Sequence, residues 1–217
     1  EHIVNIRDAY LALVERFKGG DLEINDCQIE DETSVATFSY VNGVPLSALL
    51  DKCLAADDME GFQKLFQEYL RRISYRDDYP VADYDLIFPN ILVNGPIWTV
   101  IDYEWTYGKT IPSREIAFRA LYCYMQEDQK RMKLDVDKMY RLLGLSSENV
   151  AVLLEEEAAF QKYVTGKHSS MVELWKMIGQ KNRIPKELRA EDPNNVIVDR
   201  IQVYRDYGEG YTEEYSE

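Results

Sequence analysis

The sequence contains no apolar run near the ~20 residues that a helix needs to cross a bilayer, and it opens without a signal-peptide pattern. Basic residues are also scarce: 25 Lys and Arg stand against 39 Asp and Glu, for a formal net charge of −14. Such an acidic surface repels nucleic-acid phosphates and anionic lipid headgroups. We therefore expect no membrane span and no binding to nucleic acid.

Cysteine is nearly absent as well. Cys27, Cys53 and Cys123 are odd in number, far apart in the chain and not spaced like metal ligands. This pattern argues against a disulfide framework or a zinc site and favours reduced cysteines that fill core. It predicts a reducing, cytoplasmic location.

The composition is typical of a globular chain, because 46% of the 217 residues are hydrophobic and 29% are charged. This length can bury a real core in one large or two small domains. Because the chain begins at Glu1 without methionine and ends in a strand-like stretch, we expect it to be a piece of a longer protein with neighbouring domains.

Hydrophobic periodicity predicts a mostly helical chain with a few short strands. Acidic and polar residues that can cap helices, and glycines that can end them, flank several of the periodic stretches. The predicted helices cover residues 3–18, 59–73, 113–126, 136–143, 146–164 and 169–178, with one more beginning near Pro45; the predicted strands cover 22–29, 34–41 and 196–204.

The segment from Tyr84 to Trp105 carries the clearest chemical pattern. Asp85 lies five residues before Asn90 on a predicted loop, and a predicted hairpin then brings Asp102 to a strand end. A hydroxyl that attacks a phosphoryl group needs a nearby carboxylate to orient it and accept its proton, which is the role predicted for Asp85. Amide and carboxylate oxygens are hard ligands of the kind that Mg²⁺ prefers, which suits Asn90 and Asp102.

Glu104 follows Asp102 by two residues. On an extended strand the two side chains would lie on the same side, so Glu104 could join a metal shell or hold a substrate group. A solvated or salt-bridged side chain is the competing interpretation.

These residues, in this order of elements, resemble the protein-kinase-like superfamily, and most closely its aminoglycoside phosphotransferase and choline kinase branch. The resemblance implies an α+β, mostly helical fold: a kinase-like C-terminal lobe with a partial N-terminal lobe of one helix and two strands. It divides the chain into a partial N-terminal lobe and connection at 1–45, a helical lobe at 46–190, and a linker with the start of a further module or tail at 191–217.

The same resemblance implies Mg²⁺ and ATP as cofactors. Ser39, Tyr40 and Val41 match the interlobe connection whose backbone groups hydrogen-bond adenine, and Glu15 matches the helix glutamate that pairs with a strand lysine. The predicted acceptor is a small hydroxyl compound or sugar, and its selection would depend on the helices after Trp105. Four side chains there could face a cleft: Arg114, Arg119, Tyr122 and Tyr124.

The chain departs from the family pattern in three respects. It has no room before its first helix for a glycine-rich phosphate loop, it has no strand lysine for Glu15, and Asp83 stands where the branch has histidine. Two hypotheses therefore remain open. The chain is either part of a kinase-type phosphotransferase whose missing strands lie upstream, or a non-catalytic, pseudokinase-type module. The second hypothesis places it in a larger bacterial glycosyltransferase or polysaccharide-assembly protein. Residues Val203–Tyr211 resemble segments of such proteins.

Overall fold

The computed structural model describes residues 5–30 and 35–164. The chain divides into two compact units, Glu1–Glu157 and Ala158–Glu217, and the second is described only to residue 164. The predicted helix at 169–178 and the predicted strand at 196–204 lie outside the described residues, as does the predicted boundary at 190/191.

Helices form the larger part of the described chain, and they follow the predicted periodicity. Gly19 and Gly144 adopt positive φ two residues after the helices that end at Phe17 and Leu142, which confirms the predicted helix ends there. Asp58 accepts a hydrogen bond from the backbone N–H of Gly61 and so caps the helix that begins at Met59, as predicted. The helices are α1 (Ile6–Phe17), α2 (Leu46–Ala55), α3 (Met59–Ile73), α4 (Ser113–Glu127), α5 (Val136–Leu142) and α6 (Ser147–Val164), with short 3₁₀ helices at Phe88–Asn90 and Gln129–Lys133.

The strands are short and belong to three small sheets. They are β1 (Glu23–Ile24), β2 (Cys27–Glu30), β3 (Val35–Phe38), β4 (Val44–Pro45), β5 (Ala82–Asp83), β6 (Ile91–Asn94), β7 (Ile97–Val100) and β8 (Thr106–Tyr107). One sheet has the order β1-β7-β6-β4, while β2 pairs with β3 and β5 with β8. All pairs are antiparallel except β1 with β7.

The single strand predicted over residues 22–29 is wrong, because two strands occupy this stretch. The backbone N–H of Asn25 donates to the Val100 carbonyl at 2.8 Å, directly after the pairing of β1 with β7. Beyond Asp26 the chain enters β2, which pairs with β3 instead. At the level of a mixed α and β fold with several helices and small sheets, the predicted class is confirmed. Within the described residues, no helix is long and apolar enough to cross a membrane.

All three cysteines are free thiols. Cys27 is buried, and Cys53 and Cys123 are half-buried. Burial raises the pKa of Cys123 to about 12, so its sulfur stays protonated at neutral pH. This thiol is therefore a packing group rather than a nucleophile.

An aromatic cluster between α3 and α4 supports the loop that leads to Asn90. Tyr69 and Phe88 pack edge to face with their ring centroids 5.0 Å apart, and Tyr124 lies 5.5 Å from Phe88. The Tyr69 hydroxyl donates to the Leu86 carbonyl at 2.8 Å, and both residues are fully buried. The core therefore supplies a hydrogen bond that the irregular loop cannot make for itself.

We expect Tyr69→Phe to lower the free energy of unfolding by roughly 1–3 kcal/mol, because the buried Leu86 carbonyl loses its partner while the ring packing is kept. Urea unfolding measures this change. Tyr75→Phe is the matched control, since the Tyr75 hydroxyl also donates to a backbone carbonyl, that of Lys18, but at an exposed site. Equal losses from the two variants would contradict the role given to Tyr69.

Candidate functional site

Two pairs of strands bring the segment 83–90 against the segment 101–105. Asp83 pairs with Thr106 between β5 and β8, and the Tyr84 N–H donates to the Trp105 carbonyl at 3.0 Å. At the other end, the Ile101 N–H donates to the Asn90 carbonyl at 3.0 Å, directly after the β6–β7 hairpin. The hairpin predicted around Asn94-Gly95 is confirmed, and it returns the chain to the loop that carries Asp85.

Asn90 and Asp85 are directly bonded through their side chains. Asn90 Nδ2 donates to Asp85 Oδ2 at 2.7 Å and to the Asp85 carbonyl at 3.0 Å. A reversed amide would place its oxygen against two acceptor oxygens, so these contacts fix the amide orientation. The Asn90 nitrogen is therefore committed to Asp85, and Oδ1 is the amide atom left to meet a ligand.

Asp102 lies two residues beyond β7 and is exposed. Partial desolvation raises the pKa of the Asp102 carboxyl, and the negative charges of Asp85 and Glu104 raise it further. The carboxylates of Asp85 and Glu104 thus both repel the charge on Asp102. A bound cation would reduce this repulsion.

The prediction that Glu104 lies on an extended strand with Asp102 is wrong. The strand β7 ends at Val100, and Glu104 lies in a turn. The backbone N–H of Glu104 donates to the Asp102 carboxylate. Glu104 is exposed and acts on Asp102 through its charge and its backbone. After Asp102 the chain turns so that β8 can pair with β5, and this long-range pairing ends the extended conformation.

Asp83 is fully buried in β5 beneath this site. Its Oδ1 accepts the Asp85 N–H at 2.9 Å, while its Oδ2 has no hydrogen-bond partner among the described residues. Burial raises the pKa of Asp83 well above its usual range, and the nearby charges of Asp85 and Asp102 add to this effect. The protonated form of Asp83 is therefore favoured in the folded protein.

Arg119 on α4 holds the loop from the other side. Its NH1 donates to Asp85 Oδ1 at 2.5 Å and to the Tyr84 carbonyl at 2.9 Å, and its Nε donates to Glu157 Oε2 at 2.9 Å. Burial would lower the pKa of this guanidinium, but the neighbouring negative groups, led by Asp85, raise it overall. Arg119 is therefore a permanent positive charge against the carboxylate of Asp85.

Glu157 was not anticipated from the sequence. It is 1% exposed on α6, beside exposed Glu155 and Glu156. A signal was available, because Glu157 follows the buried Leu153 by four residues and so belongs to the same helix face. A charged residue on a buried face requires a partner of opposite charge, and Arg119 is that partner.

The residues matched to nucleotide binding lie apart from these contacts. Ser39 and Tyr40 are exposed in the connection between β3 and β4, Tyr40 at 93%, and Val41 is half-buried. Glu15 is exposed near the end of α1, where its carboxylate is 3.5 Å from the Lys18 ammonium. The contacts made by the described residues do not join these side chains to Asp85.

The four side chains predicted to face an acceptor cleft have different surroundings. Arg119 is buried against Asp85, and Tyr124 is buried with its hydroxyl donating to Asp51 at 2.7 Å. Tyr122 stacks on Phe118. A shallow cleft between α4 and α6 is lined by Arg114 together with Glu115, Leu145, Asn149, Val152, Leu153 and Glu156.

Magnesium fits the oxygen atoms that this site presents. The described residues contain no group of three or more His, Cys, Asp or Glu arranged to hold a metal. Asn90 Oδ1 and the Asp102 carboxylate are hard oxygen donors, and sites with one or two protein ligands of this type are completed by water and substrate phosphates. The chemistry of these two oxygen donors therefore matches Mg²⁺.

Comparison of the sequence with protein-family models gave no match, and comparison with curated proteins gave none. The functional assignment therefore depends on the geometry of the site.

The buried acid Asp83 predicts a pH-dependent stability. Because its folded-state pKa is raised, its contribution to stability is complete below the unfolded-state pKa of ~3.9 and is lost as the pH rises towards the folded-state pKa. Asparagine mimics the neutral acid and does not titrate. Between about pH 5 and the folded-state pKa of Asp83, Asp83→Asn should therefore gain about 1.4 kcal/mol relative to wild type for each pH unit.

Urea unfolding of both proteins at three pH values between about 5 and 7 measures this difference. Asp78→Asn is the acid-to-amide control, because Asp78 is exposed on the loop between α3 and β5. A difference between Asp83→Asn and wild type that stays constant over this range would show that Asp83 is not a neutral acid.

Proposed function

We propose that the chain carries the catalytic-type lobe of a kinase-like phosphotransferase, which moves a phosphoryl group from a nucleotide to a small hydroxyl compound or sugar. The observation that supports this most is the pair of hydrogen bonds from Asn90 Nδ2 to Asp85. These bonds turn the amide oxygen away from the carboxylate, so that one residue becomes a metal ligand while its neighbour remains a base.

In this proposal Asp85 orients the acceptor hydroxyl and takes its proton as the hydroxyl oxygen attacks the γ-phosphorus of the nucleotide. The bond from that phosphorus to the bridging oxygen breaks, and the nucleoside diphosphate leaves with the electron pair. Asn90 Oδ1 and the Asp102 carboxylate would hold Mg²⁺, which would neutralise phosphate charge when bound. The acidic surface of the chain, with its net charge of −14, makes a neutral acceptor more suitable than an anionic one. Asp83 supports Asp85 by accepting its backbone N–H.

A non-catalytic kinase-like module within a larger glycosyltransferase or polysaccharide-assembly protein is the second candidate. It is favoured by the contacts of Asp85, whose Oδ1 accepts from Arg119 and whose Oδ2 accepts from Asn90. These two bonds give Asp85 a structural role that needs no proton transfer, although each carboxylate oxygen keeps a second lone pair. A module that only binds a nucleotide, a sugar or a neighbouring domain would need no more than this role.

Nucleotide binding provides the first test. ATP and Mg²⁺ at about ten times their dissociation constant should stabilise the protein by about 1.4 kcal/mol and raise its melting temperature by about 3–6 °C. Asp102→Asn should abolish this shift, because it removes a charged metal ligand. Glu23→Gln is the matched control, since Glu23 is an exposed acid on β1, the strand next to β7. A wild-type melt unmoved by ATP and Mg²⁺ would refute nucleotide binding by this chain.

Phosphate release from ATP then separates the two candidates. The phosphotransferase should release phosphate slowly to water in a reaction that needs Mg²⁺ and that falls by at least about 100-fold in Asp85→Asn. The non-catalytic module should show the melting shift without any release that depends on Asp85.

A further inference from the structure

The side chains of Arg119 on α4, Glu157 on α6 and Tyr84 contact one another next to the proposed base Asp85. Glu157 accepts from Arg119 Nε at 2.9 Å, and Arg119 NH1 donates to both Asp85 Oδ1 and the Tyr84 carbonyl. The Tyr84 hydroxyl returns to Glu157 Oε2 at 3.5 Å, and the Arg119 guanidinium lies 4.7 Å from the centre of the Tyr84 ring. Glu157 is thus connected to Asp85 by two routes.

Burial makes these contacts specific. The side chains of Arg119 and Glu157 are 5% and 2% exposed, and that of Asp85 is 15% exposed. Charged groups this far from water are held to definite partners, because no solvent replaces a lost contact. A planar guanidinium with donors in fixed directions also determines how the carboxylate bound to it is turned.

We propose that Arg119 and Glu157 are positioning residues for Asp85: Glu157 holds the guanidinium of Arg119, and Arg119 sets the rotation of the Asp85 carboxylate. This inference rests on the proposed function, in which Asp85 is the base. Because Arg119 binds Oδ1 of Asp85, Oδ2 faces the Asn90 amide. Asn90, the proposed metal ligand, and Asp85, the proposed base, are therefore oriented together. Glu157, 72 residues away in the chain from Asp85, thereby acts on Asp85 through Arg119.

The alternative is that Glu157 merely attaches α6 to α4. The two roles differ in their effect on the hydrogen bonds of the Asn90 side chain. An attachment affects the stability of the fold, whereas a positioning role changes the hydrogen bonds of the Asn90 amide in protein that is still folded. The side-chain NH₂ signals of Asn90 report these bonds directly, since both acceptors belong to Asp85.

The test compares Glu157→Gln with Glu156→Gln by two-dimensional NMR of the full chain, without any nucleotide. The Asn90 side-chain signals are identified by their loss in Asn90→Asp. Glu157→Gln should shift these signals towards those of a solvated amide, and Glu156→Gln should leave them in place, because Glu156 is the exposed neighbour on the same helix. Arg119→Lys should shift them as well, since an ammonium lacks the planar fork that contacts Tyr84, Asp85 and Glu157.

Glu157→Asp keeps the charge and should recover part of the wild-type signal position, which also covers the case in which Glu157→Gln does not fold. Unchanged Asn90 signals in folded Glu157→Gln or Arg119→Lys would overturn the proposal. This result does not depend on activity, so it is independent of the proposed function.

Phosphate release from Mg²⁺-ATP adds a kinetic readout. Misplacement of the base should lower kcat about ten- to a hundredfold in Glu157→Gln and leave KM for Mg²⁺-ATP within about twofold. A loss confined to KM would also overturn the positioning role. If the wild-type protein releases no phosphate, the proposed function fails, while the NMR comparison still decides whether Glu157 orients Asp85.

Discussion

The loop from Tyr84 to Asn90 is irregular backbone at the edge of a packed core, so its polar groups need partners from elsewhere in the chain. Tyr69 supplies one partner from α3, and Arg119 supplies another from α4. The side chain of Asn90 supplies a third by bonding to the carbonyl of Asp85. Because each partner is buried or half-buried, these bonds stabilise the arrangement of the loop that positions its acidic groups.

Charge is the second constraint on this region. Asp83, Asp85 and Asp102 interact at short range in a chain that is already strongly acidic. The structure reduces the repulsion in two ways. Asp83 is buried, which favours its protonated form, and Asp85 is paired with Arg119, which also binds Glu157. Asp102 keeps the exposed position, where an added cation would interact with it most directly.

Helix α1 is linked to the same region by a buried arginine. Arg16 donates to the Val81 carbonyl at 2.6 Å, just before β5, and to the Ile73 carbonyl at the end of α3. Burial lowers the pKa of this guanidinium, whereas the negative charge of Asp77 acts in the opposite direction. The first helix and the segment that enters the candidate site are therefore held in one packed unit.

The sequence by itself determined the elements whose signals are local. The apolar spacing of α3, the Asp58 cap and the Asn94-Gly95 turn each involve residues a few positions apart, and the interval from Asp85 to Asn90 is likewise readable along the chain. Only the tertiary structure decided the pairing of β5 with β8, the turn at Glu104 and the contact of Glu157 with Arg119. These contacts join segments that are distant in the chain. A two-residue strand or a single charged residue on a helix has no periodic pattern that identifies its partner.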